Sequence, residues 1–312
     1  MVEAYKKHDY LFSNVKQNTI GNIVIFSKKD KWKIQQDYHS VSVNETQIWK
    51  NLYSKVIDVA NQYGSFEFIQ GIEKLKLYSK EFPNINAIST RIKSMTDWEV
   101  VTVAGFLDEY LFFELNANHC FPSTDIIRKS KRFANKYEMT PIKNEFGYTP
   151  EPDVFHDVFG HMPFLTDQNY CDFIADIGQL GYEILLNEKG LSPELVAHNL
   201  KRLQNYAWWT YEFGVMKNQN DIPDNKLDIQ IYGAGILSSY DEIKNVVNCS
   251  KGLSTNSIFI PYDIEEIALT RFDYSEIQDR YFVINSMEEL YQSFRNNKEI
   301  FLYEGNNSLN SI

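Results

Sequence analysis

From Thr46 onward, Ile48, Trp49, Leu52, Tyr53, Val56, Ile57, Val59 and Ala60 recur every three or four positions. That period predicts an amphipathic helix, capped by the polar Asn44-Glu45-Thr46. The same periodicity predicts helices over 66–78, 84–96, 109–118, 149–159, 169–187 and 192–213, with Pro193 just inside the start of the last. The β-branched block from Trp98 to Leu107, with its turn glycine Gly105, interrupts the helical run, and short strands are expected at 228–232 and 281–284. Residues 1–45 mix charges with Val24-Ile25-Phe26 and carry no helical period, so they read as an N-terminal arm. The pattern predicts one folded domain over 46–290 and a C-terminal tail over 291–312, loose from Gly305. The fold class is mainly α with a few short β-strands.

Composition narrows the partners. A chain of 312 residues with 43% hydrophobic and 15% aromatic residues can bury a large core with aromatic-lined cavities. A net charge of -11 without a dense Lys/Arg patch disfavours nucleic acid and anionic lipid and leaves a small molecule as the expected partner. The start has no signal-peptide pattern and no apolar run is long enough to span a bilayer, so a cytoplasmic protein without membrane attachment is expected. The three scattered cysteines, Cys120, Cys171 and Cys249, suggest reduced thiols rather than disulfides or a zinc knuckle.

The candidate chemistry lies in Thr149-Pro150-Glu151-Pro152-Asp153-Val154-Phe155-His156-Asp157-Val158-Phe159-Gly160-His161, which holds two of only six histidines. The prolines suit a first helical turn, and Val154, Phe155, Val158 and Phe159 supply a buried stripe. His156 and His161 would splay on a continuous α-helix. Gly160 and Pro163 are expected to end the helix and let a turn swing His161 back. Glu212, set among aromatics in Trp208-Trp209-Thr210-Tyr211-Glu212-Phe213-Gly214, is a costly carboxylate to bury unless a cation pairs with it. Two histidines and one carboxylate form the facial set of non-haem Fe(II) sites. The residues alone leave open a pair of structural histidines and a solvated glutamate.

Four ordered blocks carry a resemblance. They are Val103 to Leu107; Phe112-Phe113-Glu114-Leu115 through Phe121-Pro122-Ser123-Thr124-Asp125-Ile126-Ile127-Arg128; Tyr148 to His161; and Trp208 to Gly214 followed by Tyr232-Gly233-Ala234-Gly235-Ile236-Leu237-Ser238-Ser239. Over about residues 45–290 the chain resembles the catalytic domain of the pterin-dependent aromatic amino acid hydroxylases, and its wording is nearest to the bacterial phenylalanine hydroxylases. The resemblance implies that fold, with Fe(II) on His156, His161 and Glu212. It implies a tetrahydropterin, tetrahydrobiopterin or a bacterial equivalent, beside Phe112, the Gly105-Phe106-Leu107 loop and Asp157. It implies that Arg128 holds the carboxylate of an aromatic amino acid, that Asp153 orients Arg128, that Thr149, Gly235 and Ser238 line the amino-acid end, and that Pro152 and Trp208 line the ring.

The implied reaction divides O2 between the pterin and the amino-acid ring, with phenylalanine 4-hydroxylation the leading expectation. Hydroxylation of tyrosine, tryptophan or another ring position is the alternative, and a zinc-dependent hydrolase or an inactive binding protein are rivals from other classes. Tyr274, or Asp273 beside it, falls where the family separates phenylalanine from tyrosine, while Ala207 and Cys120 depart from the family's usual residues. Segments 129–147 and 162–211 are longer than in the bacterial relatives. The residues before 45 and after 290 offer neither an amino-acid-sensing domain nor a tetramerising coiled coil, so a monomer is expected.

Overall fold

A computed structural model of the chain describes residues 36, 38–78, 80–103, 109–128, 153–218, 228–274 and 276–305. Helix α1 (Val43–Tyr63) starts three residues before the expected position because Ser42 and Glu45 form a reciprocal capping box. Its stripe of Trp49, Leu52, Tyr53, Val56, Ala60 and Tyr63 is buried. Helix α2 (Phe66–Leu75) stops short of Tyr78, since Lys76 turns into the left-handed region at φ 51°. Helix α3 (Ile85–Thr96) follows, with Asn84 capping its start.

Strand β1 (Glu99–Val103) and strand β2 (Cys120–Thr124) pair in parallel, Glu99 opposite Cys120 and Val103 opposite Thr124, with helix α4 (Glu109–Ala117) as the crossover. Two long helices come next, α5 (Gln168–Leu186) and α6 (Pro193–Ala207), the second with Ser192 as its cap and Pro193 at its first position. α4 lies on α5 at close range: a Cβ at Gly181 would come within 2.4 Å of the Phe113 ring.

The C-terminal third combines a mixed sheet with short helices. In chain order its elements are β3 (Val215–Lys217), β4 (Ile229–Ile231), α7 (Ala234–Leu237), α8 (Tyr240–Ser250), β5 (Ile258–Pro261), α9 (Ile264–Leu269), β6 (Arg280–Ile284) and α10 (Met287–Asn296). The strand order is β4-β3-β6-β5, antiparallel only between β3 and β4. The expected class, mainly α with short strands, holds.

Both expected domain boundaries shift. Position 290 falls inside α10, whose Leu290, Tyr291 and Phe294 are buried, and Phe301 beyond it packs on Tyr206 at 5.3 Å between ring centroids. The spacing of Met287, Leu290, Tyr291 and Phe294 is that of an amphipathic helix, and their burial makes it part of the core rather than a tail. At the other end, the Gln36 amide bridges Pro83 O and Ile85 N, so part of the presumed arm is fixed to the start of α3. The Val24-Ile25-Phe26 segment and most of the tail from Gly305 lie outside the described residues.

One buried carboxyl fastens α8 to the sheet. Glu242, in the first turn of α8, accepts hydrogen bonds from Gln278 N (3.0 Å) and Tyr281 Oη (2.6 Å). Burial nevertheless pushes its carboxyl up to about 7. The folded state therefore holds a proton that the unfolded chain releases near about pH 4.3. The resulting stability is full below that value and is lost as pH rises towards about 7. In Glu242→Gln this contribution is absent, so urea midpoints measured from pH 4.5 to 7 should show the variant gaining on wild type as pH rises. A constant difference across that range would contradict the assignment.

Candidate metal centre

Two π-helical turns place the three candidate ligands. Five residues along an α-helix rotate the side chain by about 500°, which leaves positions 156 and 161 about 140° apart. Here His156–His161 form a π-turn, in which backbone bonds span five residues, as in Met162 N to Asp157 O at 3.1 Å. The wider turn brings both imidazoles to one side. Their Nε2 atoms lie 3.0 Å apart and their rings meet at 83°. The helix ends at His161 as expected, with Met162 as its C-cap, but it is the change of helical period that unites the rings.

The second turn does the same for the acid. The helix expected over 192–213 is α only to Ala207; Trp208–Glu212 is a second π-turn, closed by Phe213 N to Trp208 O at 2.8 Å. Glu212 then reaches both histidines, Oε1 at 3.0 Å from His161 Nε2 and Oε2 at 3.4 Å from His156 Nε2. The three ligand atoms lie within 4.8 Å of one another. This is the only such trio among the described residues.

Helix α7 wedges against both turns, and glycines admit it. A Cβ on Gly160 would sit 2.7 Å from Ala234 O, and one on Gly235 would sit 2.7 Å from the Phe213 ring and 3.0 Å from Glu212 O. The aromatic pair Phe155 and Phe159, stacked at 5.0 Å, anchors the first turn on Trp49, Tyr53 and Phe68 of α1 and α2.

Hydrogen bonds fix what each ring presents. The Ser238 hydroxyl donates to Ala234 O at 2.8 Å, so towards His156 it accepts, and His156 Nδ1–H donates to it at 3.0 Å. That leaves Nε2 of His156 as a lone pair facing the centre. Burial lowers the His156 imidazole to about 4, against the pull of Glu212, so the ring is neutral. Burial also opposes charge on His161 and Glu212, yet their mutual attraction prevails, raising the imidazole and lowering the carboxyl. Two imidazoles and an acid, with two of the facing atoms carrying lone pairs, are held together by a shared positive charge. A divalent ion among the three atoms supplies that charge more strongly than a proton, and the N,N,O donor set suits iron.

Around this centre, Arg128 and Asp153 form the buried fork expected of them. Arg128 Nε and Nη2 donate to Asp153 Oδ2 and Oδ1 at 2.9 and 2.7 Å, and Arg128 N also donates to Oδ2 at 2.8 Å. Asp153 further accepts from His156 N at 3.0 Å, tying the arginine to the start of the first π-turn. Burial raises the Asp153 carboxyl, but Arg128 holds it below the usual aspartate range. Asp157 accepts from Thr124 N at 2.9 Å and so fastens β2 to the same turn; burial pushes its carboxyl up to about 7. Phe112 is half-buried on α4, edge-to-face with Phe113. Trp208 stacks near Phe213 and Phe272, with centroids at 4.5 and 4.2 Å. Gly105, Phe106, Leu107, Thr149 and Pro152 lie outside the described residues.

Sequence reasoning placed Ser238 at the amino-acid end and did not foresee its bond to His156. It missed Gln278, which caps the Trp208 indole, because a lone glutamine seventy residues away carries no local signal.

A sequence profile of the family described as biopterin-dependent aromatic amino acid hydroxylase matches residues 16–302. The chain is 32% identical over 262 residues to a phenylalanine-4-hydroxylase of Caulobacter vibrioides, covering 83% of this chain and 76% of that one. It is similar in fold to Chromobacterium violaceum phenylalanine hydroxylase with iron(III) and 7,8-dihydrobiopterin, at a TM-score of 0.71 and 26% identity, covering 91% of this chain and 93% of that one. The iron- and phenylalanine-bound structure of that bacterial enzyme matches at a TM-score of 0.69 and 26% identity, covering 88% of each chain.

Ser238→Ala frees the His156 ring to turn. Ferrous-iron affinity measured against a competing chelator should fall about 10- to 100-fold, with the unfolding midpoint nearly unchanged. Unaltered affinity would mean that Ser238 does not set the ring's orientation.

Proposed function

This chain belongs to the biopterin-dependent aromatic amino acid hydroxylases, and we propose that within the family it is a phenylalanine 4-hydroxylase acting through His156, His161 and Glu212 as ligands of Fe(II). The observation that carries the reading is the meeting of two imidazole nitrogens and one carboxylate at 3.0–3.4 Å, beside a buried arginine fork. Bound iron and tetrahydropterin supply the activation of O2, one oxygen atom going to the pterin and the other to the ring.

The chain's own residues do the placing. Arg128, stiffened by Asp153, grips the amino-acid carboxylate, for which a planar guanidinium is suited. By the family resemblance Gly235 and Ser238 are assigned to the amino-acid end and Trp208 to the ring, with Thr149 and Pro152, outside the described residues, assigned beside them. By the same resemblance Phe112 and Asp157 are assigned to the pterin, as are Gly105, Phe106 and Leu107, which lie outside the described residues. Phe121 and Tyr211 pack on the His161 ring, with centroids at 5.3 and 5.9 Å, an apolar shell that would keep water from a bound metal. Holding both organic partners against one metal converts an encounter of three reactants into a reaction within one complex.

All three ligands come from one chain, so a second copy is not needed to assemble the centre. No helix among the described residues is long and apolar enough to cross a membrane. The acidic charge and the scattered, odd-numbered cysteines support a cytoplasmic setting.

The test supplies anaerobic, iron-loaded protein with O2, a tetrahydropterin and phenylalanine, tyrosine or tryptophan in turn, and separates products by mass and ring position. Tyrosine from phenylalanine, with one oxygen atom derived from O2, is expected. Pterin oxidation without any hydroxylated amino acid would overturn the reading. In the same assay Glu212→Gln should lower kcat by at least about a hundredfold while the protein stays folded, whereas Arg128→Lys should chiefly raise the amino-acid KM, on the order of tenfold. Equal loss of fold in both variants would assign them structural roles instead.

A further inference from the structure

The Trp208 indole is held by a residue far from it in sequence. Its Nε1–H donates to Gln278 Oε1 at 3.0 Å. The Gln278 amide has no freedom to flip, because Nε2 already donates to Asp273 O at 2.9 Å and to Glu276 O at 2.7 Å, and a flip would turn NH2 against the indole N–H. The backbone of Gln278 is equally engaged: its N–H donates to Glu242, and its carbonyl accepts from Ser257 Oγ at 2.6 Å. Glu242 and Ser257 are themselves buried, and Asn245 links Ser257 to the Tyr281 hydroxyl that donates to Glu242.

The network reaches the metal centre from a second side. Glu242 lies four residues after Ser238, the partner of His156, so the segment from Ser238 to Glu242 borders both the ring that faces the metal and the glutamine that faces the indole. Gln278 also closes the loop carrying Phe272, whose ring stacks on Trp208 at 4.2 Å and 10°. Tyr274, in the same loop, is 57% exposed, whereas Gln278 is 4% exposed.

We propose that Gln278 is the positioning residue that sets ring selectivity, by fixing the tilt of the Trp208 indole through its side-chain oxygen and the loop of Phe272 through its side-chain nitrogen. This rests on the reading of Trp208 as a wall of the amino-acid ring slot. An indole fixed at one tilt gives the slot one width, and discrimination between a phenyl and an indolyl substrate then depends on that width. Without the acceptor, the partly buried N–H has an unmet hydrogen bond that tilting relieves.

The test compares wild type with Gln278→Met, which keeps the volume and removes the acceptor, and Gln278→Glu, which keeps an acceptor. The ratio of kcat/KM for phenylalanine to that for tryptophan should fall about tenfold in Gln278→Met, chiefly through KM, and recover at least partly in Gln278→Glu. Calorimetric binding of phenylalanine to the iron-loaded, pterin-free protein should weaken in parallel. In a Trp208→Phe background, which has no indole N–H, Gln278→Met should add little further change in selectivity, a non-additivity that a purely structural role would not give. Should Gln278→Met fail to fold, Gln278→Glu and the Trp208→Phe pair with it decide the matter by the same ratio. Unchanged selectivity, or full additivity with Trp208→Phe, overturns the proposal. A wild-type protein that hydroxylates none of the aromatic amino acids overturns the underlying functional reading instead.

Discussion

Three electron-rich groups, the Nε2 atoms of His156 and His161 and the carboxylate of Glu212, are packed within hydrogen-bonding distance inside a largely apolar shell. Such a cluster is costly to bury without positive charge at its centre. Much of the neighbouring structure is arranged around that cost. The first π-turn is stapled to α1 and α2 by stacked phenylalanines, the second extends α6, and α7 is pressed against both through Gly160 and Gly235. π-Turns are less favourable than α-helix and are frequent at functional sites, where tertiary packing sustains them.

The same elements couple the metal centre to its surroundings. Asp153 accepts from both His156 N and the Arg128 guanidinium, so the expected grip on the amino-acid carboxylate and the first ligand share one carboxyl. Asp157, between the two histidines, anchors the end of β2. Ser238 orients His156 while Ser239 caps α8, the helix whose Glu242 secures Gln278. A shift at one of these points therefore reaches both the metal ligands and the organic partners, as a placement-based mechanism requires.

The long amphipathic helices and the residue types of the site were legible in the sequence, and the places where reading failed have physical causes. Apolar spacing over five residues cannot separate an α-turn from a π-turn, so His156 and His161 were identified as partners while the device that unites them was not. Strand β2 holds Pro122, which usually argues against a strand, but among the described residues β2 pairs with β1 alone in a two-stranded sheet, where a missing N–H is tolerated. β3 and β5, of three and four residues, are too short for alternation to register. By contrast, α8 and α10 were readable: each begins with a serine followed three residues later by glutamate, Ser239 with Glu242 and Ser286 with Glu289, and carries apolar residues at helical spacing. Long-range polar contacts such as Trp208 with Gln278 have no counterpart in local sequence and require the fold.

The chemistry depends on one ferrous ion held by these two imidazoles and this one carboxylate, with coordination places left for reactants. Anomalous diffraction at the iron absorption edge, from crystals grown anaerobically with Fe(II), measures this most directly. A single strong peak is expected within bonding distance of His156 Nε2, His161 Nε2 and a Glu212 oxygen, with no other side chain bonded to it. Iron located elsewhere, or a fourth side chain closing the coordination sphere, would contradict it.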